Sequence, residues 1–224
     1  MSKAILIILL LFFVIIPPFV QYLWIRLVYV KKYKKSWHIA YLLKFLTTLL
    51  FLPVIAYLGS ELGIVPINSL SQVFLLATVL FSIMGVFFAV KRNVIAFYTQ
   101  GVFAAFMEEI LFRGIIYSLC LVIWGNVIVA IVVSSVAFGL WHLKNYPING
   151  KRNTIIQVLM TGLVYGPIFG LLRYWTGDIW LAALAHYLND TFCTFAPKWA
   201  MPFSTLRDKN YSLSDERMDP IAGG

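Results

Sequence analysis

Long apolar runs constrain the fold of this chain more than any other feature. A membrane-crossing helix needs about 20 predominantly apolar residues. Seven segments approach that length, at residues 4–30, 38–58, 69–90, 94–123, 126–143, 154–175 and 179–197. Hydrophobic residues make up 61% of the chain and charged residues 12%, whereas soluble domains carry about 45–50% and about 25%. We therefore predict an all-α, polytopic membrane helix bundle of about seven transmembrane helices, which excludes a soluble enzyme, a disordered chain and a disulfide-rich secreted module.

The domain organisation and membrane topology follow from where the polar residues lie. Residues 1–197 form a single predicted transmembrane domain, and residues 198–224 form a polar tail. Pro17 and Pro18 are expected to kink or divide the first segment. Lys and Arg residues cluster after the first, third, fifth and seventh segments, including Lys144, Lys151 and Arg152 after the fifth. The positive-inside rule then places the N-terminus outside and the tail in the cytoplasm, whereas a first segment divided in two would place the N-terminus inside. The short chain favours a prokaryotic cytoplasmic membrane. Because the basic residues lie mostly between apolar runs, we predict no nucleic-acid partner.

Ionisable residues inside the apolar segments are costly, and they mark candidate functional sites. The candidates of this kind are Glu108, Glu109, His142, His186 and Asp190. Because successive helix positions differ by about 100°, Glu108 and Glu109 are expected to point different ways and to have different roles. Glu109 and Arg113 are four residues apart and can pair, which leaves Glu108 as the candidate proton acceptor. The alternative is that the Glu109–Arg113 pair only stabilises a polar bundle interior.

The spacing around Gly125 relates Glu108 to a histidine in the next segment. Glu108 lies seventeen residues before Gly125, and His142 lies seventeen residues after it. In an antiparallel helix hairpin that turns at Gly125, both residues lie at the same depth, about 25 Å from the turn at a rise of about 1.5 Å per residue. A carboxylate and an imidazole at one level can together hold and deprotonate a water. The alternative is a histidine at the membrane interface.

His186 begins a second polar group, in the last apolar segment. Asp190 follows it by four residues, so the two side chains share a helix face. Donors on this face would stabilise a developing oxyanion, with Asp190 either protonated or holding His186 in its donor tautomer. Asn189 is an adjacent amide that offers an alternative donor. A polar clamp between helices is the competing interpretation.

Three motifs in these segments resemble the CPBP family, which comprises the CAAX prenyl proteases and the bacteriocin-processing proteins, also called Abi proteins. The motifs are Glu-Glu-x-x-x-Arg, Phe-x-x-x-His and His-x-x-x-Asn/Asp, present here as Glu108, Glu109 and Arg113, as Phe138 and His142, and as His186 and Asp190. The resemblance covers about residues 94–197. It implies a glutamate-dependent intramembrane endopeptidase in which Glu108 and His142 activate water. His186 and Asp190 would then form the oxyanion hole, with Glu109 and Arg113 in support.

The predicted function is hydrolysis of a peptide bond near the C-terminus or leader of a membrane-associated or lipidated protein or peptide. A polar cavity lined by the fourth, fifth and seventh segments would hold the site. We favour a peptide or a C-terminal sorting signal over a prenylated tail as substrate. No organic cofactor is implied. Glu and His are also zinc-ligand types, but the His-Glu-x-x-His motif is missing, so a metal-free mechanism is favoured.

Two functions from other classes compete with the protease. One is a non-catalytic membrane immunity or scaffold protein of the same fold, which the filled catalytic positions disfavour. The other is a small proton-coupled transporter. Transporters of this kind are commonly built from two repeated halves, and no such repeat is evident in this sequence.

Overall fold

The computed structural model describes residues 2–30 and 105–195, and these residues form helices with no strand among them. Helix α1 spans Lys3–Leu23 and continues as a wider π-helical segment, Trp24–Val30. The second described part begins with helical residues 105–109. It continues with the π-helical segment Ile110–Ile116, α2 (Tyr117–Trp124), α3 (Val127–Trp141), a 3₁₀ turn (His142–Asn145), α4 (Tyr146–Met160), a second π-helical segment (Thr161–Tyr165), α5 (Gly166–Thr176) and α6 (Trp180–Phe195).

Five of the seven predicted segments have described residues, and all five are helical. The segments at 38–58 and 69–90 and the tail at 198–224 lie outside the described residues, so the total of seven helices remains a prediction. Helix α1 continues through Pro17 and Pro18, so these prolines do not divide the first segment. Membrane helices tolerate proline in this way because other groups can satisfy the freed backbone atoms.

The sixth segment starts earlier than its hydropathy predicts. Helical residues begin at Tyr146, and a kink at Gly150, with φ +73° and ψ 173°, separates this first turn from the apolar helix Gly150–Thr176. Glycine is suited to this position because it lacks the Cβ that makes positive φ costly. The helical turns before residue 154 contain Asn, Lys and Arg, and an apolar pattern cannot detect such polar turns.

A tight hairpin connects α2 to α3 at the turn that the sequence predicts. Gly125 adopts a left-handed conformation with φ +64°, and its N–H donates to the carbonyl of Leu121 at 2.8 Å. The Asn126 side chain then caps α3 by accepting from the N–H groups of Ile128 (2.8 Å) and Val129 (3.1 Å). A glycine C-cap followed at once by an asparagine N-cap is a strong local signal for two consecutive helices, and it fixes the register of the hairpin.

Small residues allow α3 to pack closely against the helix that passes through Thr161–Tyr165 into α5. A Cβ placed on Gly139 would lie 2.9 Å from the Cα of Gly162, and one on Gly166 would lie 2.7 Å from the Cβ of Ser135. Both pairs are four residues apart along their helices, as in the small-xxx-small packing of membrane helices. This contact brings the backbone of Gly166 close to the ionisable residues of the hairpin.

Three helices in the described parts of the chain are long and apolar enough to cross a membrane: Lys3–Leu27, Val127–Asn145 and Gly150–Thr176. Their outward faces carry exposed apolar side chains such as Ile8 (65%) and Leu163 (68%), as expected for surfaces in contact with lipid. Their inward faces, with Leu10 and Phe13 of α1 among them, pack against the hairpin. The all-α membrane class predicted from the sequence is therefore confirmed.

Candidate active site

The antiparallel hairpin places the end of α3 beside Glu108, as the equal spacing around Gly125 predicts. The indole Nε1–H of Trp141, one residue before His142, donates to Glu108 Oε1 at 3.0 Å. The Glu108 side chain is 16% exposed, whereas Glu109 is completely buried. The two adjacent glutamates therefore have different surroundings, in line with their separation around the helix.

Glu109 and Arg113 form the buried ion pair that their spacing predicts. Arg113 Nε lies 3.1 Å from Glu109 Oε2, and Arg113 Nη1 donates to Glu109 Oε1 at 3.2 Å, with both side chains fully buried. Arg113 Nη2 also donates to the carbonyl oxygen of Gly166 at 3.0 Å. The guanidinium carbon lies 4.6 Å from the ring centroid of Phe138 and 5.3 Å from that of Phe169. A guanidinium with this many partners holds three helical segments together.

His186 contacts Glu109, a partner that the sequence analysis did not identify. Its Nδ1 lies 2.8 Å from Glu109 Oε1, and because a carboxylate can only accept, the proton lies on Nδ1. The other ring nitrogen, Nε2, lies 3.6 Å from Asp190 Oδ2 and 3.9 Å from Glu108 Oε2. With Nδ1–H already used, Nε2 offers a donor only when the ring is an imidazolium. Asp190 is 38% exposed, and Asn189 beside it is partly buried.

His142 is buried and oriented by two acceptors at one ring nitrogen. Its Nδ1 lies 2.9 Å from the carbonyl oxygen of Phe138 and 3.3 Å from Thr161 Oγ1. The Thr161 hydroxyl itself donates to the carbonyl of Gln157 at 2.7 Å, so it can accept from the histidine. Both contacts therefore favour a proton on Nδ1 and an acceptor lone pair on Nε2. At 8% exposure, His142 is a buried residue and not an exposed histidine at the membrane interface.

The Phe138 ring lies between the two histidines and the arginine. Its centroid is 5.1 Å from that of His142 and 5.4 Å from that of His186, in edge-to-face arrangements at both contacts. Phe169 stacks on the other side of His186 with centroids 5.2 Å apart. These aromatic contacts restrict the rotation of both imidazoles, so the Phe-x-x-x-His motif supplies a spacer as well as a histidine.

Two basic residues have buried positions that the sequence analysis missed. We predicted Lys144 as part of a basic loop that sets topology, but it is 5% exposed and its Nζ lies 3.7 Å from Glu108 Oε1. Arg173, near the end of α5, is 7% exposed, and its Nε donates to the carbonyl of Arg113 at 3.3 Å. That carbonyl lies inside a π-helical segment, where widened turns depart from the usual backbone pairing. The sequence offered one signal for these buried positions, which is that Lys144 and Arg173 each lie near the end of an apolar segment.

We also searched the described residues for side chains that could bind a metal ion. Within residues 2–30 and 105–195, no three His, Cys, Asp or Glu side chains come together in an arrangement suited to a metal ion. Both histidines have a specific protein partner at Nδ1, because His186 contacts Glu109 and His142 contacts a backbone carbonyl. The arrangement provides a carboxylate, two imidazoles and a buried arginine around one aromatic ring.

A helical membrane bundle with this buried Glu–Arg–His group is the class of protein that the structure defines. Residues 91–192 match the family model for the Rce1-like type II CAAX prenyl endopeptidase, which confirms the CPBP resemblance over a little under half of the chain. No match was found among curated proteins or among solved structures. At a coarse level, a match to this family implies a membrane-embedded protease, which is a hydrolase. Every motif residue lies inside the matched segment.

Proposed function

We propose that this chain is an intramembrane endopeptidase in which Glu108 and His142 activate a water molecule. The proposal depends above all on one observation: the hairpin places the chain around His142 against Glu108, inside a bundle in which a separate helix, α6, carries His186. An acceptor nitrogen on His142 and Glu108 Oε2 would hold the water and take its proton. General-base assistance of this kind contributes about 10²–10⁴-fold to a rate.

The remaining residues account for the rest of the hydrolysis. The water oxygen attacks the peptide carbonyl carbon, and the resulting oxyanion accepts a hydrogen bond from Nε2 of the His186 imidazolium. The proton held by Glu108 then passes to the leaving amine as the C–N bond breaks, which yields a carboxylic acid and a free amine; the second proton of the water stays on the acid. Asp190, 3.6 Å from the same nitrogen, would help to hold the imidazolium until the oxyanion forms and is not itself the donor.

In this mechanism Glu109 and Arg113 act by orienting His186. Glu109 Oε1 receives both the His186 Nδ1–H and an Arg113 N–H, so this glutamate positions the imidazole and does not react. Phe138 and Phe169 restrict the ring on its two sides. Because Glu109 accepts the Nδ1–H of His186, the Nε2–H of the imidazolium points toward the substrate in a defined direction.

The proposed substrate is a membrane-anchored protein or peptide cleaved near its C-terminus or leader. Burial of the site among apolar helices favours a substrate that is itself held in the bilayer. We also propose that the chain lies in the cytoplasmic membrane of a prokaryote, with its C-terminus in the cytoplasm. Lys151 and Arg152 support this orientation, because they are exposed and suited to contact anionic lipid headgroups.

The test compares membrane peptides from cells that carry the wild type, Glu108→Gln or the control Glu61→Gln, which changes an acid that the sequence places between the second and third apolar segments. We expect a C-terminal or leader fragment that mass spectrometry detects with the wild type and Glu61→Gln but not with Glu108→Gln. Identical peptide profiles with a normal cellular phenotype for Glu108→Gln would support the non-catalytic immunity or scaffold function instead.

The purified chain in lipid would then be assayed on a peptide with a C-terminal CAAX sequence, with and without a farnesyl group. Cleavage of the farnesylated form alone would identify a prenyl-dependent protease, whereas cleavage of both would favour a peptide or sorting-signal substrate. Addition of a chelator should leave the rate unchanged for a glutamate-activated water. Activity that is lost with chelator and restored by zinc would overturn the metal-free mechanism.

A further inference from the structure

The end of α3 contributes two residues to the site that none of the three motifs contains. Trp141 and Lys144 flank His142 in the sequence, and both side chains are buried, at 4% and 5% exposure. Both contact the carboxylate of Glu108. Neither has a role in the mechanism above, so their position requires its own explanation.

Trp141 and Lys144 approach the same oxygen of Glu108. The Trp141 Nε1–H donates to Oε1 at 3.0 Å, and Lys144 Nζ lies 3.7 Å from that atom. Lys144 Nζ also lies 3.4 Å from the Trp141 ring centroid, which is within the range of a cation–π contact. The ammonium, the indole and Oε1 therefore form one compact group, and each partner helps to hold the other two.

This group directs the second carboxylate oxygen toward the reacting centre. With Oε1 held from the α3 side, Oε2 faces the opposite helix, where it lies 3.9 Å from His186 Nε2. The ammonium also compensates a carboxylate charge that burial in a membrane makes costly. Each of the two glutamates thus has its own cation, since Arg113 pairs with Glu109 and Lys144 with Glu108.

We propose that Lys144, together with Trp141, is a positioning residue that holds Glu108 Oε1 and keeps Oε2 directed at the water. The inference rests on the endopeptidase function proposed above. Lys144 gains and loses no proton in the reaction, and it acts only through Glu108. This role predicts an effect on the chemical step and not on substrate binding.

The kinetic test uses the full-length chain in lipid with Lys144→Met, Lys144→Arg and the control Lys151→Met, which removes an exposed lysine. The probe is the CAAX peptide, or the fragment precursor that mass spectrometry identifies. For Lys144→Met we expect kcat to fall about 10- to 100-fold, as when the cation of a close, buried ion pair is removed, with little change in KM. Lys144→Arg should restore most of kcat, and Lys151→Met should match the wild type. A raised KM with kcat unchanged would mean that Lys144 binds substrate, which overturns the proposal.

A second measurement does not depend on activity. The infrared carboxylate stretch of Glu108 is assigned by its loss in Glu108→Gln. We expect this band to shift or disappear in Lys144→Met and to stay near its wild-type position in Lys144→Arg and Lys151→Met. If the wild type cleaves neither probe, the proposed function fails while the infrared band still decides whether Lys144 holds Glu108. A band unchanged in Lys144→Met would overturn the inference even if cleavage is confirmed.

Trp141→Phe tests the proposal if Lys144→Met does not fold. This variant keeps the ring beside the ammonium and removes only the N–H that donates to Oε1. We expect a smaller fall in kcat than for Lys144→Met, again with KM unchanged. Wild-type kcat in Trp141→Phe would contradict the proposed hold on Oε1.

Discussion

The regions around the adjacent glutamates Glu108 and Glu109 differ in burial and in the partners of their carboxylates. The Glu109 cluster, defined here as Glu109, Arg113 and His186, is closed to solvent, and its polar atoms bond to one another and to the Gly166 carbonyl. The Glu108 edge, defined as Glu108 with Trp141, His142 and Lys144, retains partial exposure at Glu108. The buried Glu109–Arg113 pair has the features of a scaffold that holds the His186 ring, whose Nε2 faces Glu108, whereas the Glu108 edge is partly accessible. The comparison shows that two carboxylates adjacent in the sequence differ in burial and in their partners, and differences of this kind are what suit one carboxylate to a structural role and another to a reactive one.

The largest expected effects come from replacing each of the two glutamates by glutamine, which has the same shape but no charge. Glu108→Gln should lower kcat about 10²–10⁴-fold, the usual contribution of a general base. It should lower the unfolding temperature only slightly, because Glu108 is 16% exposed and Lys144 keeps its contact with the Trp141 ring. Glu109→Gln should lower the unfolding temperature more, because it leaves the fully buried Arg113 without its counter-charge. Enzyme assays and thermal unfolding in lipid measure both. Equal behaviour of the two variants would remove the distinction between the regions.

Arg113→Met tests whether the Glu109 cluster is a scaffold. The change removes every hydrogen bond from the guanidinium to Glu109 and Gly166 but keeps an unbranched side chain of moderate length. Breaking a buried pair by removing one partner costs about 3–5 kcal/mol in the free energy of unfolding. Denaturant titration in mixed micelles provides the measurement. Arg113→Lys serves as the control that retains charge without the planar fork, and wild-type stability in Arg113→Met would refute the scaffold role.

Gly166→Ala tests the helix contact that brings the Gly166 carbonyl to the cluster. The new Cβ would lie 2.7 Å from Ser135 Cβ, so α5 must move away from α3. Overpacking of this kind costs about 1–3 kcal/mol and should also lengthen the Arg113–Gly166 bond. Leu163→Ala, which shortens a side chain that is 68% exposed, is the control and should change the unfolding temperature less. A larger effect in Leu163→Ala would mean that the close contact is not what holds these helices.

The smallest expected effect concerns the orientation of His142 at the Glu108 edge. Thr161→Val keeps the shape of the side chain but removes the hydroxyl that lies 3.3 Å from His142 Nδ1. The Phe138 carbonyl still accepts from the ring, so we expect kcat to fall only about 3- to 10-fold, in line with the loss of one neutral hydrogen bond. Steady-state kinetics would measure the change. Thr161→Ser keeps the hydroxyl and should retain most of the activity, so an equal loss in both variants would indicate a packing effect.

Local signals in the sequence were sufficient for the parts of the fold and site that depend on neighbours along the chain. Apolar runs predicted the helices, and the break at Gly125 predicted the hairpin turn; the Asn126 cap was found only in the structure. The four-residue spacing of Glu109 and Arg113 predicted their ion pair. Equal distances from the turn predicted that the helix carrying His142 meets Glu108 at its own level. The two predictions from spacing depend only on helix geometry, which repeats regularly and is the same in every protein.

The sequence alone therefore determined that this is a helical membrane protein with a glutamate and a histidine at one depth. Only the tertiary structure decided that His186 binds Glu109, that Lys144 faces Glu108, and that Arg113 reaches the carbonyl of Gly166. Those contacts join residues 77, 36 and 53 positions apart in the numbering. They depend on how closely and at what rotation separate helices pack, and neither hydropathy nor helical periodicity specifies that rotation.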